Sequence, residues 1–151
     1  MGRLSRSYGP IGPEAGGMSL PTFIPPTGAP FETARLLTAA TRCWRHARDD
    51  GKPVQQALHR MLVPHRCEML APVFDSYLTL CEAALGRCIA VGEGAQSPDE
   101  RLLLGLLDGS MRRRNCIDCA RGPASALDCA ICSTRIMLAM TLSQPGGRML
   151  Q

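Results

Sequence analysis

Residues 63–89 read VPHRCEMLAPVFDSYLTLCEAALGRCI, and their apolar side chains fall at Val63, Cys67, Leu70, Phe74, Leu78, Cys81, Leu85 and Cys88. Steps of three and four residues keep one face of a 3.6-residue helix in register, whereas a half-buried strand would alternate at every second position. The stretch predicts a helix from near Pro64. Pro72 inside it predicts a kink, because proline removes a backbone donor and crowds the preceding turn. Almost everything else between residues 31 and 144 also reads as helix, so the expected fold class is all-α: a small bundle of about five helices.

Toward the N-terminus, a helix is predicted over residues 31–49, with Pro30 near its start and Gly51 just beyond its end. Cys43 falls there on one face with Leu36, Ala40 and Ala47. A shorter helix opens at Pro53 and stops before Pro64, burying Val54, Leu58, Met61 and Leu62. Toward the C-terminus, Ser97-Pro98-Asp99-Glu100 carries a capping hydroxyl, a proline at the first helical position and two acids beside the positive end of the helix dipole. The Leu102–Leu107 run that follows is apolar on every side, which predicts burial. A fifth helix is expected from about Ala126, capped by Ser125, to Leu142, with Leu127, Ile131, Ile136, Met137, Leu138, Met140 and Leu142 as core.

Six prolines and several glycines in residues 1–30 predict a disordered, Pro/Gly-rich arm, and residues 145–151 a flexible tail. Residues 31–144 then form a single helical domain. Met1 to Gly17 lacks the apolar stretch of a secretion signal, and the expected setting is a reducing cytoplasm, where lasting disulfides do not form. A membrane-spanning role is not expected for the fifth helix, because core packing accounts for its composition.

Eight cysteines are present. Cys43, Cys67, Cys81 and Cys88 fall on apolar helix faces, where a free thiol behaves as a small buried hydrophobe. The other four form two Cys-x-x-Cys pairs, Cys116 with Cys119 and Cys129 with Cys132, separated by nine residues that include Gly122 and Pro123. Two such turns facing each other can place four sulfurs about 2.3 Å from one ion. The expectation is a closed structural Zn2+ site at 116–132, with Cys129 and Cys132 in the first turn of the fifth helix, where the helix dipole favours thiolate. The gap is shorter than is usual for such patterns, and an iron–sulfur cluster would use the same four ligands.

The chain carries 17 basic and 13 acidic residues, a formal net charge of +4, and Lys52 is its single lysine. So strong a preference for arginine, with abundant Ala, Gly and Pro, points to the codon bias of a GC-rich bacterium. One local cluster stands out: Arg112, Arg113 and Arg114 precede Cys116, and Arg121 follows Cys119. Guanidiniums held on a rigid loop can grip phosphates, so these four are candidate nucleic-acid contacts. Catalytic patterns are poorly represented. His46, His59 and His65 lack partners in any recognisable arrangement, no Gly-rich phosphate loop is present, and four thiolates would leave a metal no open position for chemistry.

These features predict a small zinc-stabilised helical module that binds another macromolecule, a protein before a nucleic acid. The alternatives are a nucleic-acid-binding regulator that uses the arginine cluster and a thiol-based redox or metal sensor. Neither a small-molecule substrate nor a membrane partner is inferred.

Overall fold

A computed structural model describes residues 29–142 of the chain, and their side chains from residue 31 onward. The expected arm and tail lie outside the described residues, apart from Ala29 and Pro30, which begin the first helix. The described residues form six α-helices and one 3-10 turn, without a strand: α1 (Ala29–Asp49), α2 (Val54–Leu62), the 3-10 turn Val63–His65, α3 (Leu70–Leu85), α4 (Pro98–Asp108), α5 (Arg113–Cys116) and α6 (Arg121–Leu142). The all-α bundle is as expected.

The helix predicted over 63–89 is shorter than its stripe. Pro64 falls in the 3-10 turn, Arg66 takes a left-handed conformation at φ 58°, and α3 begins only at Leu70. Pro72 therefore occupies the first turn of α3, where no intrahelical donor is lost, so the expected kink has no cause. At the other end Gly86, at φ 67°, stops the helix with its amide donating to the Glu82 carbonyl. Cys67 is nonetheless buried, but Cys88 lies beyond the helix and is exposed, against its expected place in the core.

The capping signal at Ser97 is realised in full. The Glu100 amide donates to Ser97 Oγ at 3.0 Å, and the Ser97 amide donates to Glu100 Oε2 at 2.7 Å. α4 then buries Leu103, Leu106 and Leu107, while Leu102 and Leu104 are only half-buried.

The core lies between α3 and its neighbours. Trp44 of α1 is fully buried, and its indole Nε1 donates to Asp75 Oδ1 at 2.8 Å. Phe74 and Tyr77 pack with ring centroids 6.0 Å apart, and Tyr77 Oη donates to the Leu103 carbonyl at 2.8 Å, tying α3 to α4. The long connection between α3 and α4 is anchored by acids from both helices. Asp99 accepts two bonds from Arg87, at 2.6 and 2.8 Å, and one from the Ala90 amide at 2.8 Å; Glu82 accepts from the Ile89 amide at 2.9 Å. Glu100 also accepts from Arg42 Nε at 2.7 Å, which pins α4 to α1. Burial pushes the Glu100 carboxyl up, but Arg42 and the Ser97 amide outweigh burial and hold it below its ordinary range.

α6 packs most extensively on α3. It begins at Arg121, five residues before the expected start, because Pro123 fits the first turn of a helix as readily as it fits a bend. Its side toward the bundle buries Ala124, Leu127, Ile131 and Thr134, and the remainder was not anticipated: Ile136 is 55% exposed, Met140 63% and Leu142 41%. Only 22% of its most apolar window is buried, and by length and composition alone it is long and apolar enough to cross a membrane. Core packing thus accounts for one side of this helix and not for the other.

Candidate functional site

Both features singled out in the sequence, the tandem cysteine pairs and the arginine cluster, fall on α5, α6 and the connection between them, with Arg112 immediately before α5. α5 is a single short turn, and Cys116 is its last residue. Ile117 follows in extended conformation and is buried, so it plugs the connection into the core. The second clasp is ionic. Arg113 donates from Nε to Asp128 Oδ1 at 2.5 Å and from Nη2 to Asp128 Oδ2 at 3.1 Å, a forked pair that joins α5 to the second turn of α6. The Arg113 hydrogen bond holds the Asp128 carboxyl below the usual carboxylate range, against a smaller opposing effect of burial.

The four cysteines of the expected zinc site are not gathered by this arrangement. With α6 starting at Arg121, Cys129 and Cys132 sit in the middle of the helix and not in its first turn, so the helix N-terminus does not act on their thiols. Cys119 is half-buried and lines a hollow of about 490 Å3 with Arg113, Arg114 and Arg121. Cys132 is exposed and lines a different hollow, of about 440 Å3, with Arg112, Arg114 and Arg135. Cys129, also exposed, borders a third of about 420 Å3 against Pro72, Val73 and Leu80 of α3. Among the described residues no group of three or more His, Cys, Asp or Glu is placed to hold a metal ion. A four-thiolate centre is therefore not shown among the described residues. Cys-x-x-Cys spacing sets the number of residues between sulfurs, and their direction follows from the helix face that the core claims.

The arginines divide by role. Arg113 is spent on Asp128. Arg112, Arg114 and Arg121 are exposed, and none of their guanidinium groups makes a hydrogen bond or salt bridge within the described residues, although Arg114 exerts a weaker pull on Asp128. Arg135, which sequence reasoning missed, donates to the Leu106 and Leu107 carbonyls at distances of 2.5 to 3.2 Å. It thereby satisfies two acceptors that the C-terminus of α4 leaves open.

The outward face of α6 was missed as well. Ala126, Cys129, Ser133, Ile136 and Met140 are exposed and recur every three or four residues. The charged residues of the helix, Arg121, Asp128 and Arg135, are spaced seven apart and so line a single edge of it. The outward face consequently bears no charge, contrary to the usual pattern of a surface helix. That seven-residue spacing of charges was visible in the sequence and is the signal that would have found the face. Comparison with protein-family models, with curated proteins and with solved structures finds no match to this chain.

Proposed function

We propose that this chain is a small helical binding module that recognises another protein through the outward face of α6. One observation carries the reading: a surface helix presents Ile136 and Met140 more than half exposed on a face without charge. Scattered apolar side chains are ordinary on protein surfaces, but an uncharged helical row of them, bounded by charged residues along one edge, marks an interaction site. The row repeats at the spacing by which one helix reads another or fills a groove. The four-thiolate site plays no part in this reading, because the bundle closes on Ile117 and the Arg113–Asp128 pair.

The test is a photo-activatable side chain placed at position 136 in living cells, with position 59, on the exposed side of α2, as control. Cross-links to protein at 136 and none at 59 are expected; an absence of protein cross-links at 136 would overturn the proposal.

A second reading is favoured by the three exposed arginines around the α5–α6 connection, which supply charge for a phosphate backbone without base readout. Nucleic-acid affinity that falls steeply with salt, and is lost when Arg112, Arg114 and Arg121 are all changed to Ala, would support it.

A further inference from the structure

The partner that best fits the α6 face is a second copy of the same chain. Along this face the side chains are graded in size. The N-terminal half carries Ala126, Cys129 and Ala130, and the C-terminal half carries Ile136 and Met140. The hollow between α3 and α6 lies beside the small half, where Ala126, Cys129 and Ser133 meet Pro72, Val73 and Leu80. Knobs and a hole thus occupy opposite halves of one surface. Such a surface is complementary to itself under a two-fold axis across the helix: with two α6 helices antiparallel, residue 140 of one copy faces residue 126 of the other, and each copy's Ile136 and Met140 enter the other's hollow.

We propose that the chain forms an isologous dimer in this way, a proposal that rests on the reading of α6 as a protein-docking face. Charge supports a second copy over a charged partner. Each chain carries a formal +4, yet the row from Ala126 to Met140 keeps its only charges, Asp128 and Arg135, on the edge of the helix, so two copies meet there without like charges opposed. The area sets the strength of the contact. Fifteen residues of helix span about 22 Å, and the strip formed with α3 is about 20 Å wide. That buries about 440 Å2 per copy and about 900 Å2 in all, the size of a weak, concentration-dependent dimer.

Sedimentation analysis of the full chain at about 10 to 100 μM tests the proposal, a range that detects dimers of micromolar dissociation constant. A species of twice the 16.3 kDa chain mass is expected. Met140→Glu should make it monomeric without loss of helical circular dichroism. Adding Ala126→Lys to Met140→Glu should restore the dimer, since antiparallel packing sets those positions against each other across the axis. A monomer at all these concentrations would overturn the proposal, as would a dimer that survives Met140→Glu, or a monomer whose α6 face binds lipid vesicles in a flotation assay. A monomer that still cross-links from position 136 to a different protein would sink the dimer alone, whereas absence of both dimer and cross-links would sink the docking reading with it.

Discussion

Cys81 and Cys129 belong to the same residue type and have opposite environments. Cys81 is buried in the core, and desolvation pushes its thiol up to about 12, whereas Cys129 stands exposed on α6. Alkylation of the native protein at about pH 8 should modify Cys88, Cys116 and Cys132 readily and leave Cys67 and Cys81 intact until the chain unfolds. Peptide mass spectrometry reads this directly, and equal labelling of Cys81 and Cys132 in the native state would contradict the packing described. The same exposure bears on the four-thiolate expectation. Cys116→Ser and Cys129→Ser should each leave the Tm within about 1 °C, as surface substitutions do; parallel loss of bound zinc and of Tm in both variants would reinstate the metal centre. The tandem pairs were conspicuous in the sequence. Their separation could not be read there, since it depends on α6 continuing back to Arg121 and on which side of that helix faces α3.

Helix α4 shows how much of an element local chemistry dictates. Its start was legible from Ser97 to Glu100 because the capping box is closed by atoms at most three residues apart, so no tertiary information is needed to form it. Ser97→Ala should destabilise the fold by about 1 kcal/mol, measured by urea denaturation, whereas Ser97→Thr, whose hydroxyl can both accept from Glu100 and donate to the Ala90 carbonyl, should retain most of the stability. Its far end depends on the tertiary structure: Gly109 takes a left-handed conformation at φ 84°, and Arg135 arrives from α6 to meet the last carbonyls. Arg135→Ala leaves those carbonyls to water and should raise hydrogen exchange at the C-terminus of α4 with little change at Ser97. Helix α3 was read less well at its boundaries. Its apolar stripe runs past both ends of the helix, because a chain that turns back against the core buries residues such as Cys67 outside a helix as effectively as inside one.

Across the whole molecule, carboxylates hold the non-helical segments in place. Asp99, Glu100 and Asp128 all titrate below the ordinary range, Asp99 and Asp128 chiefly through hydrogen bonds from Arg87 and Arg113. A carboxyl whose folded-state pKa is depressed contributes stability that is fully present above its unfolded value of about 4 and is lost as pH falls through the lower folded value. Thermal melts should therefore show a Tm that is flat near neutrality and declines below about pH 4, and the decline should be shallower in a Glu100→Gln, Asp128→Asn variant. A Tm independent of pH down to about 2 would refute this account. The all-α architecture, the capped start of α4 and the burial of Phe74 and Leu78 were all legible in the chain, because helical periodicity and capping act over three or four residues. Whether the second apolar face of α6 is covered, which arginines are spent on Asp128 and on the carbonyls of α4, and whether four sulfurs converge were decided only when distant segments packed together. A repeat in sequence specifies a face, and what that face meets is set by the neighbours that the fold brings to it.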